Sequence, residues 1–181
     1  GKGRRMIPAN TLTCSGRKSF SPFPAFRPSR LLWQKAIDRY HRHYICDTPI
    51  LANQRFYNIY PKASDSEMLI AGWLQSRHPS LYLEFQRAAM GLGAIEATVE
   101  EVRQLPVIEP SKVSEPLKEK LAIAFRHLCK RPVESIFEEV HKKDRQDLDG
   151  LILETLGFED IEERKHILSG LYDEFTNLAK A

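Results

Sequence analysis

The sequence lacks any apolar run long enough to cross a bilayer. A spanning helix needs roughly 20 consecutive apolar residues, and the best stretch, residues 68–74, is followed at once by polar residues and Arg77. Cysteine is scarce: Cys14, Cys46 and Cys129 are odd in number and far apart. That pattern argues against a disulfide framework and for a reducing, cytoplasmic setting. Phosphate-cradling glycine motifs are missing. Gly91-Leu92-Gly93 is too short and follows a helical stretch, and neither a Gly-x-x-x-x-Gly-Lys-Ser/Thr loop nor a Cys-x-x-Cys pair occurs. His41, His43 and Cys46 have no fourth ligand at metal-site spacing, so no metal is expected. No nucleophile–base pair stands out, so no catalytic residue is assigned. The basic start, Gly1-Lys2-Gly3-Arg4-Arg5, has no apolar segment behind it and does not read as a signal peptide.

Acidic residues are almost absent from the first third. Residues 1–62 hold 12 lysines and arginines against Asp38 and Asp47 alone, a balance of +10; the remaining 15 basic residues meet 22 acidic ones, a balance of −7. The net charge of +3 therefore hides a division. A segment so basic attracts a polyanion, most simply nucleic acid. The competing explanation is a basic face packed against an acidic domain.

Three segments are expected along the chain. Residues 1–26 form a basic N-terminal stretch. Residues 27–110 read as an α+β unit, a small mixed or antiparallel sheet with flanking helices. Residues 111–181 read as a helical region. In the second segment, Tyr40, Arg42, Tyr44 and Cys46 alternate with His41, His43, Ile45 and Asp47, a strand period. Residues 54–60 make another strand, ended by Pro61. Helices follow over 68–74 and from Pro79, the latter closed by Gly91. Brief strands are expected at 94–97 and 105–108, with a capping box of Thr98 and Glu101 between them. The third segment has helices from Ser114-Glu115-Pro116 to about Lys130, from Pro132 with Val133, Ile136, Phe137 and Val140 as its stripe, over about 147–156 with Gly157 as the stop, and from Asp160-x-x-Glu163 to the end. The apolar stripes of these helices predict a core.

The candidate binding residues lie in the basic segment. Arg27, Arg30, Lys35, Arg39, His41, Arg42 and His43 crowd into 17 positions with Trp33 and Tyr40 between them. Arginine grips phosphate or bonds guanine edges bidentately. Asn53, Gln54 and Arg55 stand together on an expected loop tip, where amides can read adenine and arginine guanine; they serve equally well as turn residues. Lys62 completes the set.

The order of these residues resembles the C-terminal target-recognition region of adenine-specific DNA methyltransferases of restriction-modification systems. The resemblance runs through Arg27-Pro28-Ser29-Arg30-Leu31-Leu32, Asp38-Arg39-Tyr40-His41-Arg42-His43-Tyr44 and Arg55-Phe56-Tyr57-Asn58-Ile59-Tyr60-Pro61-Lys62. It continues with the helix at 68–76, then Gly91-Leu92-Gly93-Ala94-Ile95-Glu96-Ala97 and Val102-Arg103-Gln104-Leu105-Pro106-Val107, which is also similar to the end of a recognition domain in type I specificity subunits. Asp147-Leu148-Asp149-Gly150-Leu151-Ile152-Leu153-Glu154-Thr155-Leu156-Gly157 is similar to the closing helix of such enzymes. Gln75-Ser76 stands where the family often has Asn-Ser. No Asn/Asp-Pro-Pro-Tyr/Phe tetrad, which would hold a flipped base for methylation, is present. The resemblance implies a piece that binds double-stranded DNA and reads the target. Methyl transfer would belong to an S-adenosylmethionine-binding catalytic domain of the same parent chain, with no cofactor in this piece and no membrane partner. The alternative is a non-catalytic protein-interaction scaffold whose acidic helices dock another subunit.

Overall fold

A computed structural model describes residues 27–37, 40–63, 66–90 and 95–180. The fold is α+β. Its three-stranded antiparallel sheet has the order β3-β1-β4, with β1 Ser29–Gln34 in the centre, β3 His43–Ile50 and β4 Phe56–Ile59. A two-stranded ribbon pairs β2 Ala36–Ile37 with β5 Ile95–Glu96. The helices are α1 Glu67–Gln75, α2 Arg77–Met90, α3 Val99–Gln104, α4 Glu115–Leu128, α5 Ile136–Glu139, α6 Lys143–Thr155 and α7 Ile161–Leu178.

The register assigns the two faces of the sheet. Leu31 sits opposite Ile45 and Ile59, and Trp33 opposite His43 and Tyr57. Leu31 and Trp33 are buried among α1 residues, so this face meets the core. Leu32, Tyr44 and Asn58 share the other face, and Gln34 lies opposite Phe56. Tyr44 and Phe56 meet edge to face across β1, with ring centroids 5.9 Å apart. The register jumps between Ser29 and Leu31, where β3 bulges. Because β3 and β4 both run antiparallel to β1, residues 51–55 carry the chain back from the Ser29 end of the sheet to its Gln34 end.

Helix α1 is apolar on every side, and all seven residues from 69 to 75 are buried, as expected of a helix in the middle of a core. Leu121, Phe125 and Leu128 of α4 and Leu148 and Ile152 of α6 pack in the same cluster as Leu31, Trp33 and Leu69. The core is therefore continuous across position 110. A second cluster joins Ile136, Val140 and Leu153 to Leu168, Tyr172 and Phe175 of α7.

Several local expectations are met. Thr98 and Glu101 form a reciprocal capping box. The Asp160 side chain accepts from the Glu163 amide, 2.7 Å. Gly157 ends its helix with φ +98, a conformation that costs glycine little. Others are corrected. Residues 105–108 form no strand; Leu105 and Ile108 are buried as single plugs, and Pro106 and Pro110 remove donors that a ladder would need. The helix expected from Pro132 begins only at Ile136, because Ser135 and Glu138 cap each other there. Helix α6 starts earlier than expected, at Lys143. Gly91 and Ala94 lie outside the described residues.

Candidate nucleic-acid interface

Cations gather at the two ends of the sheet. At the Ser29 end, the Arg27 guanidinium lies 5.0 Å from the centre of the Tyr60 ring, and the Tyr60 hydroxyl donates to the Arg27 carbonyl. Exposed Lys62 follows shortly after. At the Gln34 end, Lys35 and Arg55 are neighbours, the Lys35 amide donating to the Arg55 carbonyl at 3.0 Å. Lys35 Nζ is 4.5 Å over the Tyr57 ring, and the half-buried Arg42 side chain is 4.6 Å over the Tyr40 ring. A strand of this length separates its ends by about 17 Å. Contacts of a cation with an exposed ring are worth only about 0.5–1 kcal/mol. They orient these side chains without committing them.

The turn before β4 uses Asn53 structurally. Its Oδ1 accepts from the Arg55 amide at 2.9 Å, and its carbonyl accepts from the Phe56 amide at 3.1 Å. This is an Asx turn, in which the side chain imitates the backbone. Gln54 and Arg55 are exposed beside it.

Three expected contacts are otherwise engaged. Arg30 Nε donates to the Cys46 carbonyl at 2.9 Å, and its Nη1 pairs with Glu67 at 2.9 Å. It staples β1 to β3 and to α1. His41 is 4% exposed, with Nε2 3.3 Å from Glu84 and its ring 5.4 Å from that of Phe175. The His43 ring packs on Trp33, centroids 5.0 Å apart, with both nitrogens buried. Burial, then the neighbouring His41, pushes its pKa down to about 3. Both histidines thus point inward, away from any phosphate; the alternation was legible, but which side faces the core was not. Arg39 lies outside the described residues.

Sequence reasoning missed Gln75. This buried residue ends α1 and reaches the start of β3: its Oε1 accepts from the His43 amide at 3.1 Å and its Nε2 donates to the His41 carbonyl at 3.3 Å. Its own carbonyl accepts from Arg145 Nη1. The available hint was a lone amide closing the apolar run 68–74, since a buried polar group needs partners.

Charge is handled differently behind the sheet. Arg145, fully buried, donates from Nε to Glu139 at 2.9 Å. Arg131 grips both Glu139 and Asp144. Burial alone would raise the Glu139 pKa, but the Arg131 hydrogen bond and the Arg145 charge bring it down to about 2. Buried Arg77 lies 3.7 Å from Glu139 and 5.4 Å over Phe175. Burial, then Arg145 beside it, lowers its pKa to about 9. Arg164 pairs with Glu154, and Lys142 with Glu134. Most lysines and arginines of the helical region thus answer its carboxylates; Lys112, Arg126, Lys130 and Lys180 have no described acid partner. Among the described residues, Arg27, Lys35, Arg42 and Lys62 have no ion pair with an acid.

A groove of about 940 Å³ lies between α5, α6 and α7, with Val140, Leu151, Leu168 and Tyr172 in its lining. No described group of three His, Cys, Asp or Glu side chains could hold a metal ion. No described helix is long and apolar enough to cross a membrane. Comparison of the chain with protein-family models, curated proteins and solved structures finds no match.

Proposed function

We propose that this chain is a DNA-binding, sequence-recognition module, the target-reading part of a site-specific adenine DNA methyltransferase. The observation that carries the reading is the division of charge. Most cations of the helical region pair with its own carboxylates, whereas Arg27, Lys35 and Arg42 lie over aromatic rings, and they and exposed Lys62 have no described acid partner. The strand ends that carry Arg27 and Lys62 on one side and Arg42 and Arg55 on the other are about 17 Å apart, more than the roughly 12 Å width of a major groove, so cations at both ends would reach the backbones on either side of it. Phosphate contacts of this kind position a protein, and Gln54 and Arg55, exposed beside the turn, would read bases. A separate S-adenosylmethionine-binding domain of the parent would perform methyl transfer.

The test is duplex-DNA affinity by fluorescence anisotropy as salt is varied. The logarithm of affinity should fall linearly with the logarithm of salt, by about 0.9 per phosphate neutralised. A slope near zero removes the reading. The groove between α5, α6 and α7 favours a second role for the same chain, docking a protein segment on the helical face. Size-exclusion chromatography with and without DNA separates the two, because a pure scaffold elutes unchanged when DNA is added.

A further inference from the structure

We propose that Gln75 is a positioning residue for Arg42, acting as a substitute strand at the edge of the sheet. The inference rests on the DNA-binding reading above. β3 is an edge strand, so one side of its backbone has no strand partner. In an extended chain, residues two apart direct their amide and carbonyl groups to the same side, and His41 stands two positions before His43, where β3 begins. The Gln75 amide meets that side at both places, accepting from the His43 amide and donating to the His41 carbonyl. A neighbouring strand would offer the same acceptor and donor. The polarity also fixes which amide atom is which, since only the oxygen can face an N–H and only the nitrogen a carbonyl.

Arg42 lies between the two clamped residues. His41 is anchored against Glu84 and Phe175 and His43 against Trp33. With both neighbours held inward, Arg42, just before β3, is left to the other side of the chain, where Tyr40 supports its guanidinium. Gln75 is itself held. It is 4% exposed, and its carbonyl, one of the unpaired acceptors at a helix C-terminus, receives the buried Arg145 guanidinium. Arg145 is fixed by Glu139. A chain of contacts therefore runs from α5 and α6 through Gln75 to the orientation of one surface arginine.

The experiment is a double-mutant cycle in the full 181-residue chain, read by affinity for a labelled random-sequence DNA duplex, using Gln75→Met, Arg42→Ala and the double variant. Methionine keeps length and removes both hydrogen bonds. Gln75→Met should weaken binding roughly fivefold, the scale of one or two net hydrogen bonds, and should have almost no further effect once Arg42 is gone. Additive losses, or unchanged binding in Gln75→Met, overturn the proposal. If Gln75→Met does not fold, amide hydrogen exchange in the unaltered protein decides. The His43 amide should exchange slowly; exchange at the rate of an open strand edge overturns the clamp. Absence of any DNA binding by the unaltered chain would instead remove the functional reading, a different result.

Discussion

Asp149 reaches from α6 to the first amide of α2: its Oδ1 accepts from the Arg77 backbone N–H at 2.9 Å. Its Oδ2 accepts from the Tyr172 hydroxyl at 2.8 Å. A helix begins with unpaired amides and a partial positive charge, and here a carboxylate 72 residues away in sequence supplies the cap. Burial, then the Asp149 charge, pushes the Tyr172 pKa well above its ordinary range, so that phenol stays a donor. One aspartate thus ties α2, α6 and α7 together.

Replacing Asp149 by Ala should be among the most damaging changes available. It removes the cap of α2, the Tyr172 partner and a negative charge beside buried Arg77. Breaking a buried charge set by removing one partner costs about 3–5 kcal/mol. Urea unfolding of the variant should show that loss at an unchanged slope. A loss below about 1 kcal/mol would show that the network does not need this carboxylate.

Acid should destabilise the protein first through His43. Its folded pKa is about 3 against an ordinary 6.5, so below 6.5 the unfolded chain binds a proton that the folded chain refuses. Stability then falls as pH drops from 6.5 toward 3, by about 2 kcal/mol between pH 7 and 5. Glu139 works in the same direction lower down. Its folded pKa of about 2 lies below the ordinary 4.5, and its contribution, complete above 4.5, disappears as pH falls through 2. Thermal melts from pH 7 to 4 check this. His43→Phe should flatten the part of the profile between pH 7 and 5; an unchanged profile would place the acid sensitivity elsewhere.

The basic residues should separate into two behaviours. Arg42→Ala and Lys62→Ala should each weaken DNA binding and reduce the salt slope by about 1, with melting unchanged. Arg30→Ala should lower the melting temperature, because Arg30 bonds the Cys46 carbonyl and pairs with Glu67. Its effect on the salt slope should be small. The opposite pattern would mean that the cationic surface has been assigned to the wrong residues.

Truncating Phe175 tests whether the last helix belongs to the same folding unit. Its ring is fully buried against His41 and under Arg77. Phe175→Ala should cost about 3–5 kcal/mol and should unfold the sheet and helices in one transition. Two separate transitions would show that residues beyond 110 fold on their own.

Periodicity and capping chemistry made much of the fold legible from sequence. The Thr98–Glu101 box, the Asp160 cap and the Gly157 stop are local, and local rules read them. The alternation of residues 40–47 likewise pointed to a strand, which forms three residues later, over His43–Ile50, and composition showed where positive charge accumulates. What the alternation could not show is which half faces the core, because a strand period is symmetric between its two sides. Packing against Trp33, Glu84 and Phe175 made that choice, drawing His41 and His43 inward and leaving Arg42 outside. The same holds for Arg77, Arg145 and Asp149. Their charges are plain in the sequence, but only burial and partners distant along the chain turn them from surface residues into the bonds that hold the helices together.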